Sequence, residues 1–155
     1  MDIAQRVQAL EDIEEIRKLK AAYCAACDDD HNGDAVAALF VPEGTWGAVG
    51  RPPEVGRDQI AAFMFGVRNS GQMKRSAHQV FNPVITVDGD QAEGDWRFLM
   101  MYTTADEQAF VRIIGTYHET YVRTAEGWKF ETLEVTVEER GTYATADGNL
   151  ASRSL

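Results

Sequence analysis

Apolar residues at Leu10, Ile13, Ile16, Leu19, Tyr23 and Cys27 recur at spacings of three and four, with Glu11, Glu14, Glu15, Arg17 and Lys18 between them. That period predicts a long amphipathic helix. It is expected to end at Asp28-Asp29-Asp30-His31-Asn32-Gly33, a run of turn and cap residues. A short helix is expected from Asp34 to Phe40, stopped by Pro42-Glu43-Gly44, and then a strand over Thr45 to Val49 and a loop at Arg51-Pro52-Pro53. Gly56-Arg57-Asp58 opens a third helix with Ile60, Phe63, Met64 and Val67 on one face. From Arg75 onward the period changes from 3.6 to 2. Strands are expected over Arg75–Asn82 continuing into Val84–Val87, then Ala92–Thr103, Phe110–Arg123 and Trp128–Val137, with turns at Asp88-Gly89-Asp90 and Ala125-Glu126-Gly127. Helices followed by a long antiparallel meander indicate an α+β fold. Residues 1–140 read as one domain. Residues 141–155 are small and polar around a single Leu150 and read as a tail or a partner-docking arm.

The 155 residues are 45% hydrophobic and 26% charged, the mixture of a globular domain. Acidic residues outnumber basic ones 25 to 15, a formal charge of −10. A field of that sign repels phosphate backbones and anionic bilayers, so neither nucleic acid nor membrane is expected as a partner. The N-terminal residues carry no basic leader followed by an apolar run, which points to a cytoplasmic location. Cys24-Ala-Ala-Cys27 has redox spacing, but it lies late in a helix, away from the end whose dipole acidifies a thiol, so both cysteines are expected to be packing residues. The run Asp28-x-Asp30-x-Asn32-Gly33 imitates a calcium loop, yet its twelfth position is Leu39 instead of the bidentate Glu, so no metal is expected. No phosphate-binding glycine motif and no placed lysine suggests a cofactor.

The chain resembles a known family in the order of its motifs. After the acidic helix end come Gly44-Thr45-Trp46, Gly56-Arg57-Asp58-Gln59-Ile60, Val87-Asp88-Gly89-Asp90-Gln91-Ala92, Gly115-Thr116-Tyr117 and Gly127-Trp128-Lys129-Phe130. Over roughly residues 5 to 140 this is similar to the SnoaL-like domains of the nuclear-transport-factor-2-like superfamily, which includes scytalone dehydratase, bile-acid 7α-dehydratase and hexachlorocyclohexane dehydrochlorinase. The resemblance implies a cone: a curved, mixed but largely antiparallel sheet wrapped over the N-terminal helices, enclosing an apolar pocket.

His78 is the foremost chemical candidate, since histidine is the side chain best suited to general-base work near neutral pH. A strand histidine bonded to a backbone carbonyl is the competing reading. The resemblance implies a strand histidine as base and, fifty residues earlier, an Asp at the end of the first helix that holds it, which is Asp28, with Asp29 as the fallback. An Asp there also sits against the negative end of the helix dipole, a cost that a function would justify. The family places a substrate-bonding group at the position of Tyr23; on a continuing helix it lies about 140° from Asp28, so the two are expected to converge only if the helix unwinds. The pocket wall is expected from Trp46, Phe63, Met64, Phe98, Met100, Tyr102 and Tyr117. Arg140, at the very end of the last strand, is the nearest basic side chain, and a pocket lacking a cation would disfavour an acidic substrate or an anionic leaving group; His118 is expected to face outward and His31 to be a solvated turn residue. Together these imply a cofactor-free lyase or isomerase acting on a hydrophobic small molecule of up to polycyclic size, in a homodimer or homotrimer. The alternatives are a non-catalytic ligand-binding or assembly domain, such as an oxygenase small subunit, and a polyketide cyclase that uses Asp as its acid/base.

Overall fold

The structure, a computed structural model, describes residues 2–146 and 149–153, with side chains through residue 144. Helix α1 spans Ile3–Asp28 and opens on a reciprocal cap: the Asp2 side chain accepts the Gln5 N–H, and the Gln5 side chain accepts the Asp2 N–H. Residues 2–8 are all exposed, and so is Leu10, because this end of the helix runs past the packed body. From Asp12 onward one face is buried through Ile16, Leu19, Tyr23 and Cys27. Helix α2 (Gly33–Ala37) is capped by Asn32, whose side chain accepts the Ala35 N–H at 3.2 Å. It ends three residues before the expected Phe40, because Phe40 starts a strand and packs on Phe130 with ring centroids 5.1 Å apart. Helix α3 spans Arg57–Asn69.

The strands are β1 (Phe40–Ala48), β2 (Glu54–Val55), β3 (Met73–Asp88), β4 (Gln91–Thr104), β5 (Ala109–Thr124), β6 (Gly127–Ala146) and β7 (Asn149–Arg153). They form one unclosed sheet in the order β2-β1-β6-β5-β4-β3, with β7 paired to β6 off that path. All pairs are antiparallel except β1 with β6. The last long strand does not end at the expected Val137: β6 carries its pairing with β5 on to Ala144. A regular β5 partner continues past 140, which local composition does not reveal.

Curvature comes from breaks in register. The β3–β4 ladder shifts between Phe81 and Val84, where Asn82 takes φ +51° beside Pro83, and the β5–β6 ladder shifts at Ile114/Gly115 and Thr120/Tyr121. Such bulges bend long strands. Gly115 is obligatory at its bend: a Cβ there would lie 2.0 Å from the Thr136 carbonyl oxygen and 2.7 Å from the Phe98 ring.

The concave face of this curved, unclosed sheet packs on the helices through Phe40, Trp96, Phe98, Tyr117, Tyr121, Phe130 and Leu133. Two polar clusters, one partly and one fully buried, fix α1 on it. Arg123 donates two hydrogen bonds to Asp12, at 2.7 and 2.8 Å, and Trp128 Nε1 adds one at 3.3 Å. Deeper, Lys20 pairs with Glu119, both fully buried; Tyr121 donates to the same carboxylate, and Trp96 Nε1 donates to the Tyr121 hydroxyl at 3.0 Å. Lys20 Nζ also lies 3.3 Å from the Tyr117 ring centroid, a cation–π contact in a dry interior.

Candidate active site

Asp28 is the last residue of α1 and His78 lies in β3, which packs alongside that helix. The ring Nδ1 of His78 is 2.6 Å from Asp28 Oδ1, the backbone N–H of His78 donates to both carboxylate oxygens at 2.9 and 3.1 Å, and the Ser76 hydroxyl donates at 3.0 Å. Burial pushes the Asp28 carboxyl up, but these hydrogen bonds and the electrostatic influence of His78 outweigh it and hold the group below the usual carboxylate range. An ionised carboxylate only accepts, so the proton of the neutral His78 ring is assigned to Nδ1 and the Nε2 lone pair is left free. Nε2 has no protein partner among the described residues. The His78 side chain is 7% exposed and lines the main cavity.

That cavity holds about 340 Å³. Its lining includes Tyr23, Trp46, Phe63, Met64, Phe98, Met100, Tyr102 and Tyr117. Trp46 stacks on Phe63 at 4.5 Å between centroids, and the Arg51 guanidinium lies 4.4 Å from the Phe63 ring centre. Trp46 Nε1 donates to the Tyr23 hydroxyl at 2.9 Å. Burial first, and then Cys27 and Tyr117, push the Tyr23 hydroxyl well above its ordinary pKa, so it enters chemistry as a neutral group and not as a base. The helix does not unwind between Tyr23 and Asp28, contrary to the condition for their convergence. Tyr23 faces the cavity alongside Cys27, while Asp28 reaches from the helix end to β3 and holds the ring from behind. Asp29 is exposed and bonds to Asn32.

The sequence left a pocket cation open and placed His31 in solvent. Arg140 lines the cavity and donates to the Tyr102 hydroxyl at 2.7 Å, so the lining does contain a cation. The strand pairing of β6 beyond Val137 carries it there. His31 is no solvated turn residue: it is 7% exposed and lines the cavity, with its ring centroid 6.0 Å from that of His78. Asp30 and His31 both take φ +49°, a left-handed backbone that costs about 1 kcal/mol or more per non-glycine residue. This double twist turns the ring inward, and no hydrophobic periodicity encodes it. Lys20 was also missed, because its position on the helical stripe is visible but its buried partner Glu119 is not.

Other candidates fall away from the cavity. The His118 side chain is 58% exposed and pairs with Asp95 at 2.8 Å. Cys24 and Cys27 are buried free thiols; burial pushes Cys24 to about 11 and Cys27 to about 12, which keeps both protonated. No described helix is long and apolar enough to cross a membrane.

The fold has many solved counterparts. An NTF2-like protein with a cystatin-like fold from Novosphingobium aromaticivorans is 28% identical over 88% of each chain, with a TM-score of 0.78. A protein of the same bacterium, provisionally named a scytalone dehydratase, is 22% identical over 95% of this chain and 97% of its own, with a TM-score of 0.78. The LinA-type3 hexachlorocyclohexane dehydrochlorinase of Novosphingobium barchaimii is 16% identical over 94% and 96%, with a TM-score of 0.74. No curated protein sequence matches the chain. The SnoaL-like domain model matches residues 8–134, most of the chain, and the chain therefore belongs to the SnoaL-like domain family.

Proposed function

We propose that this SnoaL-like domain is a cofactor-free lyase or isomerase in which His78 removes a proton from carbon and Asp28 orients the ring. The carrying observation is the 2.6 Å hydrogen bond from His78 Nδ1 to a carboxylate held ionised, which leaves the Nε2 lone pair free at an apolar cavity. When Nε2 takes the proton, the C–H electron pair moves into an adjacent carbonyl, giving an enolate, or expels a β leaving group, giving a double bond. The imidazolium then returns the proton to another carbon or to the departing group. Asp28 stabilises that imidazolium, and the dry wall strengthens the interaction. Tyr23 and the Arg140–Tyr102 pair are the donors for substrate oxygen. A cavity of about 340 Å³ lies at the lower end of ligand pockets and suits one or two rings better than a larger polycycle.

The test is elimination of 5-nitrobenzisoxazole, a small bicyclic probe that needs only a base. Its C3–H bond breaks, the proton passes to Nε2, the electron pair forms a nitrile, and the N–O bond breaks to release 2-cyano-4-nitrophenolate. Turnover faster than by free imidazole, and lost in His78→Ala, is the expected result; equal rates for a folded His78→Ala protein would end the reading.

A ligand-binding role without catalysis is the second reading, favoured by the same largely apolar cavity. It predicts tight binding of apolar bicyclic compounds with no turnover. Assembly as a homodimer or homotrimer belongs to the proposal as well: Phe81, Val84 and Val137 remain exposed on the sheet strands. Sedimentation as a monomer at tens of micromolar would remove that part.

A further inference from the structure

His31 is a polar ring with no bonding partner among the described residues. It is 7% exposed, yet among the described residues neither ring nitrogen has a hydrogen-bond partner. The residue borders two neighbouring spaces. The ring stands edge-to-face to His78, with planes 70° apart, and it separates the main cavity from a smaller polar cleft of about 250 Å³ lined by Asp28, Lys74 and Ser76. A polar ring that borders a cavity without a protein partner bonds to water there or to a ligand that displaces it.

The backbone is built to hold the ring there. His31 N–H donates to the Cys27 carbonyl at 3.0 Å and Asn32 N–H to that of Ala26 at 3.0 Å. Arg68 of α3 donates to the Asp30 carbonyl at 2.6 Å, and Asn32 caps α2 on the other side. Two consecutive left-handed residues are thereby pinned from both neighbouring helices. Strain secured in this way at a cavity wall is a mark of use.

We propose that His31 is a second catalytic imidazole, donating an N–H hydrogen bond to the substrate oxygen on which negative charge develops as His78 takes the proton from carbon. The inference rests on the reading of His78 as the base. Burial, and then the electrostatic influence of the neighbouring His78, hold the His31 ring below its ordinary pKa, so it stays uncharged at neutral pH and presents one donor and one acceptor. A neutral histidine polarising an oxygen is an established catalytic role. Placed beside the base, it selects compounds with a hydroxyl or carbonyl oxygen within a bond or two of the carbon that loses the proton.

Two measurements decide this. In the 5-nitrobenzisoxazole elimination, His31→Phe lowers kcat about 10-fold with KM within about twofold, and His31→Gln, which keeps an N–H donor, stays within about threefold of the wild type. In the ¹⁵N spectrum of the imidazoles, the His31 resonances move on adding 2-cyano-4-nitrophenol and stay in place with 3-nitrobenzonitrile, the same ring without its hydroxyl. Wild-type kcat in His31→Phe, or His31 signals that ignore the phenol, overturns the proposal. Failure of the base reading is seen separately, as turnover retained in His78→Ala or absent in the wild type. In that case the nitrogen spectrum alone decides whether His31 meets a ligand oxygen.

Discussion

Asp28 accepts hydrogen bonds from both the ring and the backbone of His78, a residue fifty positions further along the chain. One carboxylate thus sets the position of the strand and the tautomer of its histidine together. The helix end that supplies Asp28 has no basic side chain in its last turn, so β3 provides the compensation that the helix lacks.

Because ring and carboxylate act as a unit, Asp28→Asn should reduce the 5-nitrobenzisoxazole elimination nearly as far as His78→Ala, a loss of about 10²- to 10⁴-fold. The double variant should lose little more than either single one. Losses that multiply would mean that the two residues act independently.

His31 gives stability an acid-side dependence. Its folded pKa is lowered by burial, so the unfolded chain binds the extra proton between the folded value and the ordinary one of about 6.5. Stability therefore falls as pH drops from neutral through that ordinary value, and the decline stops below the folded value. Asp28 acts in a lower window: its contribution is present above its unfolded pKa, about 3.9, and is lost as pH falls through its depressed folded pKa. Urea unfolding at pH 7.5 and 5.5 should show a smaller difference in His31→Phe than in the wild type.

Lys20 and Glu119 are a fully buried pair, and removing one partner strands the other charge. Lys20→Met should cost about 3 to 5 kcal/mol. Lys20→Met with Glu119→Gln should cost less than the sum of the two single changes. Calorimetric melting of the three variants reads both expectations; additive losses would show that the pair is not coupled.

Gly115→Ala tests the bend of the sheet. Its new methyl would meet the Thr136 carbonyl and the Phe98 ring, so β5 and β6 must move apart. A loss of about 2 kcal/mol or more in denaturant unfolding is expected, and an unchanged midpoint would mean that the close approach is not a constraint.

The sequence by itself determined the element types, since hydrophobic period is a local property: the 3.6 spacing of Ile16, Leu19 and Tyr23 and the alternation of Trp96, Phe98, Met100 and Tyr102 each report one buried face. The order of short motifs was enough to suggest the family. What the tertiary structure alone decided is which polar groups meet. Phe40 became a strand because Phe130 lies beside it, and Arg140 reached the cavity because β6 continues to pair with β5. His31 entered the cavity through two left-handed residues clamped by Arg68. Each outcome is set by contacts between residues distant in the chain, whose free energy outweighs the local preference of the segment, and no periodicity records such contacts.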